Sequence, residues 1–160
     1  MMRGVMLIAC GVLLGTLIQT AIAQNKNPGV IQLNHVGIAV DDFNESLAFY
    51  TGALGFEEAF RVSDDEGQPR LAYLRVSANT FLELAPATAD RPAGLTHFGI
   101  QVDDVAAVKA MYERRGAEAT EVRSGFTKAI LSNIFDPQGI QIELSEYPPD
   151  SLQGQALAGQ

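Results

Sequence analysis

Cysteine, histidine and basic residues are all scarce in this chain, and each shortage narrows what the protein can do. Its 160 residues include one cysteine, Cys10, and two histidines, His35 and His97. Cys10 lies in an N-terminal stretch, MMRGVMLIACGVLLGTLIQTAIA, with a single basic residue at Arg3, an apolar run from Val5 to Ile18 and an Ala21-Ile22-Ala23 ending. That pattern reads as a secretory signal over residues 1–23, with cleavage expected between Ala23 and Gln24. Too little apolar sequence precedes Cys10 for a lipoprotein signal. The apolar run is short for a membrane span, which needs about 20 residues. A retained anchor is therefore the lesser alternative, and no stable membrane insertion is expected after cleavage. The mature chain would carry no thiol. That excludes disulfides, thiolate metal ligands and cysteine nucleophiles, and suits a periplasmic or secreted location.

Basic residues number 11 against 19 acidic ones, a formal net charge of -8. No basic patch stands out, so nucleic acid is not an expected partner. Solubility accounts for the charge, and an apolar fraction of 47% is enough for a real core.

Residues 24–30 form a polar lead-in, Pro86 to Gly94 has the composition of a linker, and residues 148–160 read as a flexible tail. Between these lies a single domain over 31–147, made of two similar modules, 31–85 and 95–147. Each opens with a strand-like alternation, Leu33 to Val40 and Leu95 to Val102, followed by Asp-Asp and a helical pattern. Asp42 with Glu45 makes a capping pair, and Phe43, Leu47, Tyr50 and Leu54 share one helical face ended by Gly55. In the second module Val105, Val108, Met111 and Tyr112 form the face and Gly116 ends it. Three short strands are expected after each helix, near 56–62, 70–76 and 80–85, then near 117–122, 128–135 and 140–146. Asp136 to Gly139 (DPQG) reads as a tight turn. The fold class is α+β: tandem βαβββ modules forming a pseudo-symmetric curved mixed sheet around a cleft.

Side chains alternate across a strand. Val36, Ile38 and Val40 share one face, and His35 and Gly37 the other; Phe98, Ile100 and Val102 share one face, and His97 and Gly99 the other. The bulky face belongs under the helices. The opposite face carries a histidine and then a glycine, which leaves room beside an imidazole. In the closing strands the same parity puts Glu83 and Glu143 on the non-core face. The His-to-Glu spacing is 48 residues in the first module (83 − 35) and 46 in the second (143 − 97). A lone histidine on a strand is usually a structural residue, and a lone glutamate usually solvated. Two of each at matching positions are better explained as ligands. Two imidazoles and two carboxylates suit one divalent transition metal, such as Ni, Zn, Mn, Co or Fe.

The motifs NHVGIAVDD, FYTGALGF, FLEL, THFGIQVDD and FDPQGIQIEL resemble the vicinal oxygen chelate superfamily, the glyoxalase, bleomycin resistance protein and extradiol dioxygenase type, from about Gln32 to Tyr147. The resemblance implies paired modules wrapped around a metal cleft, closed within one chain or across a homodimer. The family's ligand positions fall on His35, Glu83, His97 and Glu143, a set most similar to bacterial glyoxalase I. It further implies a glyoxalase-like lyase, isomerase or epimerase that stabilises an enediolate of a small substrate with vicinal oxygens. Glu143 is the first choice for the catalytic base, and Glu83 its equal by symmetry. The alternatives are a dioxygenase of the same superfamily and a non-catalytic small-molecule-binding protein of the drug-resistance type. Two features fit a literal glyoxalase poorly. Glutathione and coenzyme A thioesters are chiefly cytoplasmic, and no distinctive cluster of basic residues for glutathione carboxylates is visible along the chain. By parity, Tyr73 and Arg75 face the cleft as substrate-binding candidates, and by the repeat so do Asn133 and Phe135.

Overall fold

The computed structural model describes residues 27–159. The expected signal segment and most of the lead-in lie outside them. The first module comprises β1 (Val30–Val40), α1 (Phe43–Ala48), β2 (Glu57–Ser63), β3 (Pro69–Ser77) and β4 (Thr80–Pro86). The second comprises β5 (Gly94–Val102), α2 (Val105–Arg114), β6 (Arg123–Ser124), β7 (Ile130–Phe135) and β8 (Gln141–Glu146). All eight strands join one open sheet in the order β2-β3-β4-β1-β5-β8-β7-β6. The opening strands β1 and β5 pair antiparallel at its centre, and each pairs in parallel with the closing strand of its own module. The architecture is the α+β mixed sheet expected, with the two modules related end to end. Register shifts along the β1–β5 seam bend the sheet where the modules meet.

Both helices start where the Asp-Asp pairs predict. Asp42 accepts a hydrogen bond from the Glu45 amide at 2.9 Å, and Asp104 one from the Ala107 amide at 2.9 Å. Gly55 and Gly116 adopt positive φ of 70° and 93° and close the helical segments. The first segment departs from ideal periodicity. After Ala48 it widens into a π-turn, Phe49–Ala53, whose extra residue per turn rotates Leu54 out to solvent. The apolar face therefore ends at Tyr50. The strand expected near 117–122 shrinks to β6 and a single bridge between Ala119 and Ile134.

Under α1, Phe43 and Leu47 pack on Ala72, Leu74 and Leu84; under α2, Val105, Val108 and Met111 pack on Val102, Ile134 and Leu144. The opposite face is not bare. Leu71, Tyr73, Phe81 and Ala85 form a third buried cluster there, with Ala156 and Leu157 packed onto it. Those two residues come from α3 (Leu152–Ala158), in the segment expected to be a flexible tail. The hydroxyl of buried Ser151 donates to the Pro148 carbonyl at 2.7 Å and accepts from the Gly154 amide at 2.9 Å, and the Leu152 amide reaches the Thr127 carbonyl at 3.0 Å. A side chain at 154 would run into the Pro148 carbonyl, so glycine is required there. The low-complexity composition of the tail hid a capped helix whose few apolar residues cover one half of the concave face. Among the described residues no helix is long and apolar enough to cross a membrane.

Candidate metal and substrate site

Register converts the two similar strings into one site. Across the β1–β5 seam, His35 pairs with Gly99 and Gly37 with His97. Glu83 stands beside Gly37 on the other side, and Glu143 beside Gly99. Two adjacent rows thus cross the sheet centre, each reading Glu-Gly-His. The glycines are needed for the histidine of the opposite module. A Cβ on Gly37 would overlap the His97 ring, and one on Gly99 would overlap the His35 ring.

The two imidazoles point their Nε2 atoms at each other, 3.0 Å apart, in a T-shaped arrangement. Glu143 Oε1 lies 3.6 Å from His35 Nε2. Ligand atoms of His35, Glu83 and His97 all lie within 4.8 Å of one another. All four predicted ligands are therefore brought together by one chain.

The neighbours fix the ring orientations. The Asn34 amide nitrogen donates to the Asn79 carbonyl at 3.1 Å, so its Oδ1 faces His35 and accepts from Nδ1 at 3.3 Å. An amide oxygen can only accept. With Nδ1–H donated to that oxygen, Nε2 keeps its lone pair for a metal; the Tyr147 hydroxyl also stands 3.3 Å from Nδ1. The Tyr147 hydroxyl holds the same Asn34 oxygen at 2.9 Å. Thr96 Oγ1 sits 2.9 Å from His97 Nδ1 and can hold that ring the same way. Metal-binding histidines are characteristically held through their second nitrogen.

Burial, and then the adjacent His97, push His35 down to about 3; burial and the charge of Arg91 push His97 down to about 4. Both rings are neutral at neutral pH, the form that binds metal. Burial and the Glu143 charge raise Glu83 to about 7, against a hydrogen bond from Tyr73 and the charge of Arg91. Burial also raises Glu143, opposed by a hydrogen bond from Ser145 and the charge of Arg123. The residues fit a divalent cation. Two imidazole nitrogens 3.0 Å apart with two carboxylates beside them are a donor set that would suit such an ion. A cation would also relieve the repulsion by which the Glu143 charge raises Glu83.

A cavity of about 610 Å³ opens over the site, lined by Glu83, His97 and Glu143 with Arg91, Arg123 and Gln153. The four substrate-binding candidates do not line it. Tyr73 is buried beneath, stacked on Phe60 at 4.8 Å and hydrogen-bonded to Glu83 and Gln153. Arg75 turns away to α3, donating to the Ala156 carbonyl at 2.6 Å and the Ala78 carbonyl at 2.8 Å. Asn133 accepts from the Gln141 amide at 3.3 Å, and Phe135 is half exposed. Parity names a face but not a distance along it. Arg75 and Phe135 lie at the far ends of the two rows.

Other residues at the site carried weaker signals. Asn34 and Thr96 stand directly before the histidines in both repeats, a polar position that could have been noticed. Arg91, Arg123 and Gln153 come from stretches of linker, edge or tail composition. They meet at the cavity wall only in the fold.

The glyoxalase/bleomycin resistance protein/dioxygenase superfamily model matches residues 32–144. The chain is 30% identical over 129 residues to the uncharacterized protein YaeR of Escherichia coli (strain K12), covering 74% of this chain and 98% of that one. It is also 30% identical over 126 residues to a probable chloroplastic lactoylglutathione lyase of Arabidopsis thaliana, covering 72% of this chain and 35% of that longer protein. Among solved structures, methylmalonyl-CoA epimerase from Mycobacterium tuberculosis superposes with a TM-score of 0.66 at 26% identity, over 76% of this chain and 91% of that one. With the family model covering both modules and the sheet matching in shape, the chain belongs to the glyoxalase/bleomycin resistance protein/dioxygenase superfamily.

Proposed function

We propose that the protein is an exported, metal-dependent lyase, isomerase or epimerase. It would move a proton between adjacent carbons of a small substrate bearing two neighbouring oxygens. The observation that carries this reading is the convergence of His35, Glu83, His97 and Glu143 beneath one cavity. These four side chains would hold one divalent cation, which when bound would supply a Lewis acid for charge developing on the substrate oxygens. The imidazoles, neutral and held through Nδ1, keep the metal position fixed. Glu143 lines the cavity and is steadied by Ser145 at 3.1 Å, which places it to take the proton. Glu83 lines the same cavity and would be the alternative base by symmetry. Export rests on the N-terminal signal pattern alone, and it favours a substrate other than a glutathione or coenzyme A thioester.

The relatives support proton transfer in two forms, since one is named a lyase and another an epimerase. A dioxygenase is less well supported: the sequence has only two histidines, and both are used as ligands. A drug-sequestering protein would have no use for a complete ligand set. The test is an activity screen of metal-reconstituted protein against 2-oxoaldehyde adducts, 2-substituted acyl thioesters and catechols, beside a His97→Ala control. Turnover of one of the first two classes, built on a thiol other than glutathione or coenzyme A and lost in the control, is expected. Activity that survives in the variant would refute the metal mechanism.

A further inference from the structure

Two arginines face this cavity, one from the inter-module segment and one from the second module. Arg91 comes from the inter-module segment, where a turn closes by paired hydrogen bonds between Thr88 and Arg91 at 2.8 and 3.1 Å. Its Nη2 is anchored to the Pro86 carbonyl at 2.8 Å, and its Nε is buried with no hydrogen-bond partner. Arg123 sits exposed at the rim on β6. Neither has a carboxylate within ion-pair distance among the described residues, in a protein of net charge -8. Arg61, Arg75, Lys109 and Lys128 each have one; Arg70 and Arg114 do not, but of the described arginines without one only Arg91 and Arg123 line this cavity.

The charges near the cavity do not balance without a ligand. A divalent cation would offset Glu83 and Glu143. That leaves Arg91 and Arg123 against Asp90, a net charge of one positive. Arg91 acts on Glu83 and His97, and Arg123 on Glu143, so each guanidinium lies close enough to bias its own side of the site. A planar guanidinium kept free of protein carboxylates at the wall of a cavity suits a ligand carboxylate, which it can bind through two parallel bonds. Apolar walls at Leu71, Leu95 and Leu131 leave room for a short carbon chain.

We propose that Arg91, with Arg123 at the rim, forms an anion subsite, and that the substrate carries a carboxylate in addition to the two oxygens offered to the metal. This rests on the functional reading above and specifies its substrate class as small acidic molecules, dicarboxylates of the 2-oxo or 2-hydroxy kind.

Paired probes test it by calorimetry. On the manganese-loaded protein, 2-oxoglutarate is compared with 2-oxovalerate, which has the same chelating end and chain length but no distal carboxylate. The expected result is a preference for 2-oxoglutarate of about tenfold, the size of one charge-assisted hydrogen bond. The preference, read as the ratio of the two affinities, should vanish in Arg91→Gln, shrink in the rim variant Arg123→Gln, and return in part in Arg91→Lys; the ratio cancels any change at the metal that both oxoacids share. A second arm titrates glutarate into metal-free protein, where binding that weakens with salt and is lost in Arg91→Gln is expected. Equal affinity for the two oxoacids in the unaltered protein, a preference that survives in Arg91→Gln, or no glutarate binding would each overturn the subsite. Arginine-dependent glutarate binding in a protein that takes up no metal would keep the subsite and refute the metal reading.

Discussion

At the scale of single residues, the site depends on two glycines as much as on its four ligands. Gly37 and Gly99 are empty so that the other module's imidazole can fill the space. Gly99→Ala is expected to push His35 off its position, lower stability by about 1–3 kcal/mol through overpacking, and weaken metal binding. Calorimetric metal titration beside thermal melts checks both effects. Asn34 acts through His35, since its oxygen sets which imidazole nitrogen keeps a lone pair. Asn34→Leu should cost about 10- to 100-fold in metal affinity, the usual effect of losing a residue that orients a ligand. Arg75→Ala is expected to loosen α3 and lower the melting temperature more than it weakens metal binding, because its guanidinium holds the Ala156 carbonyl instead of facing the cavity; thermal melts beside a metal titration check this.

At the scale of elements, α3 changes the picture most. It covers Leu71, Tyr73, Phe81 and Ala85, and it places Gln153 against Tyr73, which in turn donates to Glu83. Removing residues 152–160 would expose this cluster and free Tyr73. The truncated protein is expected to melt several degrees lower and to lose activity while retaining weak metal binding, since all four ligands remain. Full activity in that truncation would show that the helix is dispensable. Both main helices were legible because their caps, apolar spacing and terminal glycines are local signals. The third was not, because seven residues that include Gly154 and two glutamines show no amphipathic stripe. Only contact with Thr127, Pro148 and the concave face holds it in place.

At the scale of the molecule, the buried site makes stability depend on pH in two opposing ways. His35 and His97 have folded-state values near 3 and 4 against 6.5 in the open chain. The unfolded chain therefore binds more protons, and stability falls as pH drops from 6.5 toward those values. Glu83 has a folded-state value near 7 against 4.5. The folded chain holds its proton longer, and stability rises as pH falls from 7 to 4.5. Between 4.5 and 6.5 two histidines act against one glutamate, so stability still falls with acidity there, at about the slope of one group. Below 4.5 only the histidines still act, so metal-free protein should lose stability steeply from there to about pH 3. Chemical denaturation across the range reads this out, and a flat profile below pH 4.5 would contradict neutral buried imidazoles. Metal affinity should fall with acidity below about pH 7, as Glu83 becomes protonated, with protons released on binding.

The sequence by itself determined the repeat, the strand–helix order and the face on which His35, Glu83, His97 and Glu143 lie. Those follow from alternation and capping, which act between near neighbours in the chain. Only the tertiary structure decided which glycine serves which histidine, which arginines reach the cavity and which candidates do not, because β1–β5 register and sheet curvature arise between distant residues. Tyr73, Arg75, Asn133 and Phe135 had the right parity, yet none lines the cavity, since a face extends farther than a site. Arg91 and Gln153 had no distinguishing pattern, yet they stand at its wall because a turn and a short helix bring them there.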